Sequence, residues 1–465
     1  MITITLTYLE PNSTTSISYG MIKLHKPEKG LRPITTGYNS ITCNAQTYLK
    51  GFVDPMLSQC TYLVDSPAKF KERLLADLPK FDPEKHTIVS YDAVKLFTNV
   101  NTNRVVSHVL DTIYKSPDLY FKEKDEKGNR YPIPSRSDFR IFMQKVLKDF
   151  NVCQNNLGYY RQIGGLAMGS KLSGALSNLF IHLMEETVVS KLIKNKTIIH
   201  WQRFADDVLC ICEKDSVDLI LNKINAWDKN LNFKVEKLQN NEIKFLDSRI
   251  FLENKLLKFR KFFKRDENTV ITNFSQSVSP YKYKVNNIFT QLHRTRDCSS
   301  DEEQFSIALN ELRTIFANNS YPSRLVESKI AIFFINDKKP PRLEKINSFC
   351  LDYNSHMVDI IAKKLVKKMK NFAPDFSINT CYRSIKISNI YSYTFKPKIE
   401  LMETANCIYH FQCECASNYI GQSKRRLRVR AGEHQQKCRK TSIYGHIISC
   451  KRYICLNINI PQMSW

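Results

Sequence analysis

The stretch Phe204-Ala-Asp-Asp-Val-Leu-Cys-Ile211 sets two carboxylates side by side within an apolar run. The flanks favour burial and the acids favour water, so few folds accept it. Two like charges about 4 Å apart repel by roughly 4 kcal/mol at a near-surface dielectric. A hairpin resolves the conflict: residues 198–211 read as two strand-like halves with Asp206 and Asp207 at the turn. The dipeptide alone also suits an ordinary surface turn, and a second acid argues against that. His86-Thr-Ile-Val-Ser-Tyr-Asp92 reads as a short buried strand ending on a carboxylate. Between them lie the loop Gly164-Gly-Leu-Ala-Met-Gly169 and, over 173–194, an apolar period of a helix. If the two strands are neighbours in one sheet, three carboxylates converge at its edge, where they cannot all stay ionised unpaired. Two divalent cations about 3.5–4 Å apart would remove the repulsion, activate a primer hydroxyl and steady a leaving pyrophosphate.

The rest of the chain supplies a core and a charge. Residues 66–85 read as helix and loop, 103–116 and 136–150 as helices, 231–236 and 243–251 as strands. Residues 283–375 are mostly helical and basic, and 376–402 read as a linker. Lys23-Leu-His-Lys-Pro27 and Leu31-Arg-Pro-Ile34 are extended pieces around a turn. Apolar residues make up 42% of the chain, which excludes wholesale disorder. A net charge of +25 points to nucleic acid or another polyanion as partner. The apolar run Ile330-Ala-Ile-Phe-Phe-Ile335 is far too short to span a bilayer, so no membrane role is expected. No Lys or Arg precedes Lys23, so no secretory leader is visible. The 14 cysteines are read as reduced thiols of an intracellular protein. They cluster toward the C-terminus, which suggests a small metal-bound module there.

Several ordered motifs resemble a reverse transcriptase palm, most closely that of Penelope-like retroelements. They are Ser90-Tyr-Asp-Ala-Val-Lys-Leu-Phe-Thr-Asn-Val100, Gln162-Ile-Gly-Gly-Leu-Ala-Met-Gly-Ser-Lys-Leu-Ser173, Phe204-Ala-Asp-Asp207, Phe245-Leu-Asp247 and Asn319-Ser-Tyr-Pro322. The resemblance spans roughly residues 20–330. It implies an α+β right-hand polymerase with fingers and palm over 1–255 and a helical thumb-like region over 256–375. It implies Mg²⁺ bound by Asp92 and Asp206 with help from Asp207, and RNA template, DNA primer and dNTPs as partners. Phe97 would wall the sugar pocket and Arg32 would meet the triphosphate. Gly165, Gly169 and Ser170 would let backbone approach the nucleotide and template. Plain core packing for Phe97, a solvated Arg32 and an ordinary loop are the bland alternatives. The chain departs from the family pattern at Lys171, Gly174 and Lys234, none of them a metal ligand.

The tail carries a second constellation. Cys407-Ile-Tyr409, Tyr419-Ile-Gly421, Arg430 and His434 resemble the GIY-YIG endonuclease domain that such elements carry behind the polymerase. The resemblance implies a small α/β domain over 403–465 that acts on target DNA. Two strands would present Tyr409 and Tyr419, and one helix Arg430 and His434. Tyrosine helps activate water and arginine stabilises phosphate charge. Four arginines within 425–430 are equally a basic helix face on DNA. Cys413, Cys415, His446 and Cys450 have the residue types of one tetrahedral zinc site, with Cys438 and Cys455 as competing ligands. Cys407 replaces the family's first glycine, and no acid follows Glu433, so an incomplete nuclease is expected. The resulting expectation is a nuclear RNA-directed DNA polymerase of a mobile element. The alternatives are a decayed, non-catalytic nucleic-acid-binding product and a telomerase-like or intron-encoded reverse transcriptase. The tyrosine-rich tail argues against the last two enzymes.

Overall fold

Apolar and β-branched runs become ladders wherever a turn lets the chain fold back. The computed structural model describes residues 12–22, 30–121, 132–263, 269–336, 347–372, 378–384, 399–413, 415, 417–435 and 442–450. In chain order its strands are β1 (Ser16–Ile22), β2 (Leu31–Thr35), β3 (His86–Ala93), β4 (Val152–Asn155), β5 (Gly158–Arg161), β6 (Ile198–Phe204), β7 (Asp207–Glu213), β8 (Phe233–Lys237), β9 (Glu242–Phe245), β10 (Ser248–Glu253), β11 (Leu256–Lys261), β12 (Asn347–Tyr353), β13 (Ile378–Ser384), β14 (Cys407–Gln412) and β15 (Asn418–Ser423). The chain forms two compact units, one drawn from 1–61, 95–183 and 394–465, the other from 62–94 and 184–393. No helix among the described residues is long and apolar enough to cross a membrane.

The second unit is built on an antiparallel sheet in the order β6-β7-β3-β8. Its inner strands are buried on both faces, so they read as near-continuous apolar runs. Ile88, Val89 and Tyr91 of β3 and Val208 to Cys212 of β7 are fully buried. On one face Ile88, Leu209 and Ile211 pack with Phe70 and Leu74 of the helix Pro67–Asp77 and with Phe245 and Phe259 of the β9-β10-β11 meander. Elsewhere Tyr91 stacks on Trp201 at 5.7 Å and donates through its hydroxyl to the Val217 carbonyl. Helices Tyr281–Asp297, Glu302–Asn318 and Ser323–Asn336 enclose a separate core around Leu292, Phe305, Leu312, Phe316 and Phe333. The Asn319-Ser-Tyr-Pro322 motif ends the middle helix. Asn319 donates to the Ile315 and Thr269 carbonyls and accepts from Ile271 N, which ties the incoming strand-like segment to the helix end.

The supposed linker holds a strand. β13 pairs in parallel with β12, and helix His356–Phe372 makes the crossover between them. The strand's polar composition, Ile-Asn-Thr-Cys-Tyr-Arg-Ser, hides it, because a two-stranded sheet leaves much of each strand at a solvated edge. In the first unit, β2-β1-β4-β5 form a mixed sheet. The same unit holds an aromatic cluster of Phe52, Phe121, Phe139 and Phe142. The β4–β5 hairpin has no strong apolar alternation and was not foreseen. The Lys23–Pro27 turn lies outside the described residues.

Candidate functional site

Register decides where the acids meet. Across β3 and β7, Asp92 stands opposite Asp207; across β3 and β8 it stands opposite Lys234. Antiparallel partners have Cα atoms about 4.5–5.5 Å apart and side chains on one face. Asp207, Asp92 and Lys234 therefore form one row. Asp206 occupies the second position of the two-residue turn between β6 and β7, and its carbonyl accepts from Ala93 N at 3.0 Å. That bond pins the turn to the end of β3. All three aspartates are half-buried, and Lys234 is exposed. Three carboxylates on one sheet edge are a hard oxygen donor set, which suits Mg²⁺ rather than a thiophilic metal.

The turn is strained and supported. Ala205 has φ +52°, a left-handed conformation where hairpins usually place glycine. Its carbonyl accepts from Arg203 Nη1 at 3.1 Å. The same guanidinium forks onto Glu185, with Nε at 2.7 Å and Nη2 at 3.1 Å, both side chains fully buried. Trp201 Nε1 also donates to Glu185, at 3.1 Å. Glu185 opens a π-helical turn, Glu185–Val189, inside the long helix that starts at Ser173. Sequence reasoning gave neither Glu185 nor Arg203 a role. The available signal was an acid in the apolar helix period and an arginine inside an apolar strand.

The residues that the sequence suggests for nucleotide binding lie in the first unit. Arg32 is exposed on β2 opposite Met21. Phe97 is half-buried in the short helix Leu96–Asn99, and its carbonyl accepts from Leu166 N at 2.7 Å. Gly165 and Gly169 have φ +65° and +114°. A Cβ on Gly165 would sit 2.3 Å from the Thr98 carbonyl oxygen, and one on Gly169 would sit 2.2 Å from that of Thr35. The close approach that requires glycine is thus to the chain's own backbone. Ser170 donates to Gln46 Oε1 at 3.0 Å, fixing the loop to helix Cys43–Val53.

Asp247, from the Phe-Leu-Asp motif, anchors a helix. It accepts from buried Lys261 at 2.9 Å and from Arg294 of helix Tyr281–Asp297. Burial raises its carboxyl pKa, but the two cations outweigh this and hold it below the ordinary range.

In the tail, β14 and β15 set Tyr409 opposite Gly421. A Cβ there would meet Tyr409 Oη at 2.5 Å and Tyr419 Cε1 at 2.7 Å, so only glycine lets the two rings share the space. Arg430 Nε donates to Tyr409 Oη at 3.1 Å, and Tyr409 Oη and His434 Nε2 share a 2.6 Å bond. Burial and Arg430 lower the His434 pKa, with Glu433 acting against them. Burial raises the Tyr409 pKa, with Arg430 acting against it. Tyr419 stands edge-on to His434 at 5.9 Å. Glu433 is buried and accepts from both Arg425 and Arg430, so the arginine is already neutralised within the helix Leu427–Gln435.

Cys413, Cys415, His446 and Cys450 come together, their ligand atoms all within 4.8 Å of one another. Cys413 and Cys450 sulfurs are 3.8 Å apart, and Cys415 Sγ lies 3.4 Å from His446 Nε2. A tetrahedron with Zn–S of about 2.3 Å and Zn–N of about 2.0–2.1 Å has edges of roughly 3.8 and 3.5 Å. The residues fit the ion. Ser417, through its hydroxyl and backbone, brings the Cys415 thiol down to about 6, toward the thiolate that a metal needs. Cys438 and Cys455 lie outside the described residues.

A profile of the animal helix-turn-helix domain matches residues 274–331, which include the helices Tyr281–Asp297 and Glu302–Asn318. None of the curated proteins matches the chain. Among solved structures, the chain is similar to apo telomerase from Candida tropicalis truncated from its C-terminal domain, at 16% identity and TM-score 0.39 over 53% of this chain and 55% of that one. It is similar to telomerase from Candida albicans in complex with a fragment of telomeric RNA, at 14% and 0.43 over 77% and 60%. It is likewise similar to the RNA-dependent RNA polymerase of a human picorbirnavirus, at 11% and 0.43 over 77% and 62%. The chain therefore spans little more than half the length of these proteins.

Proposed function

We propose that the chain is an RNA-directed DNA polymerase of a Penelope-like mobile element, extending a DNA primer on an RNA template with dNTPs in the nucleus. The observation that supports this most is the register that sets Asp92 against Asp207 with Asp206 on the adjoining turn. Asp92, Asp206 and Asp207 would hold Mg²⁺. Bound there, the cations supply Lewis acidity to the attacking hydroxyl and the leaving phosphate. The chain does the rest. β3 and β7 fix two acids at neighbouring positions, the Ala93–Asp206 bond presents the third, and Lys234 adds a positive charge beside Asp92. Phe97 would exclude a ribose 2′-hydroxyl and Arg32 would bind the triphosphate. The basic helical region 256–375 would grip duplex phosphates.

The test is primer extension on RNA with Mg²⁺, comparing the chain with Asp206→Asn. The substitution is expected to reduce extension by about a hundred-fold or more. Equal extension by both would remove the assignment.

The tail is proposed as a zinc-bound, GIY-YIG-like module that handles target DNA through Tyr409, Tyr419, Arg430 and His434. One observation favours binding over cutting: both Glu433 oxygens are taken by arginines. Plasmid nicking by the full chain, lost in Tyr409→Phe, would establish cleavage; DNA retention without nicks would establish binding alone.

A further inference from the structure

We propose that Glu185 and Arg203 position the acid turn for its metal, an inference that rests on the polymerase reading of that turn. The pair is wholly buried, and two of the three guanidinium nitrogens engage Glu185. The third reaches past the end of β6 to the carbonyl of Ala205, the left-handed residue immediately before Asp206. Glu185 is held in turn by Trp201, and Arg203 is fixed along its backbone by Tyr62 O and Val64 N, each at 2.8 Å.

A core that only needed filling would be at least as stable with apolar residues, because desolvating two charges is expensive. An arginine is required for a different reason. Its planar fork satisfies a carboxylate with two donors and leaves a third aimed elsewhere, which a lysine cannot reproduce. The π-helical turn at Glu185–Val189 marks the place where the helix departs from its regular register; such turns recur at functional sites. Ala205 explains why a clamp is needed. A residue with a Cβ disfavours this conformation, so the turn relaxes unless something holds its carbonyl.

Mn²⁺ binding to the zinc-loaded full chain, followed by electron paramagnetic resonance, tests the role without any appeal to activity. Arg203→Lys is expected to stay folded and to weaken Mn²⁺ binding by about ten-fold or more, as losses behind metal ligands commonly do. Adding Ala205→Gly should recover a substantial part of that loss, since glycine adopts the turn conformation unaided. If Arg203→Lys proves unstable, the double variant Glu185→Met/Arg203→Met replaces it; its packing is apolar, and it should fold yet bind Mn²⁺ as weakly. Wild-type binding in these folded variants, or a loss that Ala205→Gly leaves untouched, overturns the positioning role. The control is Asp206→Asn. If Asp206→Asn binds Mn²⁺ like wild type, the metal reading of the turn falls and the clamp falls with it. If it abolishes binding while Arg203→Lys does not weaken it, only the clamp falls.

Discussion

The acid hairpin and the tail hairpin solve one problem by opposite means. Both are antiparallel two-strand turns that present polar residues. β6 and β7 lie in a sheet packed on both faces, and the charge beneath their turn is neutralised by the chain itself, Glu185 against Arg203. Among the described residues, β14 and β15 rest on a cluster that includes Cys407, Tyr409, Leu427 and Ile443. Three thiols and an imidazole gathered beside it are placed to add the cross-link that a bound zinc ion would supply. On the proposed reading the acid hairpin sets its metal on a buried scaffold, whereas the tail hairpin leans on a metal for the scaffold itself.

The comparison is broken most severely by withdrawing the proposed zinc. Structural zinc contributes on the order of 10 kcal/mol in small zinc domains. Chelation is therefore expected to unfold the tail, with fast amide exchange across β14 and β15 and no change in β3. Retained protection in the tail would contradict it. Next comes Glu185→Ala, which leaves the buried Arg203 without its carboxylate. A loss of about 3–5 kcal/mol in denaturant unfolding is expected. Gly421→Ala should cost about 1–3 kcal/mol of tail stability by overpacking Tyr409, read from local exchange in the zinc-loaded chain.

The smallest effect is a pH dependence. Asp77 is drawn down to about 2 by its hydrogen bond with His200, at 2.8 Å. Its folded value lies below the ordinary 3.8, so its stabilisation is present above about pH 4 and is lost as pH falls toward 2. The stability gap between wild type and Asp77→Asn, held to about 1 kcal/mol or less by solvent screening, should be present above about pH 4 and vanish below that window. A gap unchanged down to pH 2 would place its origin elsewhere.

Much of the site was legible because acids inside apolar runs leave few options. Asp92 at a strand end and Asp206–Asp207 at a turn could be read from local pattern. The gathering of Cys413, Cys415, His446 and Cys450 was legible by residue type, even with the unusual one-residue gap between Cys413 and Cys415. What could not be read was long-range or hidden by context. Glu185 and Arg203 sit on different elements, a helix and a strand, and an ion pair in an apolar core leaves no periodic signal. The glycines at 165 and 169 were assigned to approaching a ligand, yet their immediate neighbours are Thr98 and Thr35. β13 was read as linker because a polar edge strand has no apolar alternation.

The most direct test of the central claim is iron-mediated hydroxyl-radical cleavage, with Fe²⁺ in place of Mg²⁺. Backbone cuts are expected both near Asp92 and near Asp206–Asp207, suppressed together by excess Mg²⁺ and lost together in Asp206→Asn. Cuts at one segment without the other would contradict the account, because they would mean the three acids do not share a metal.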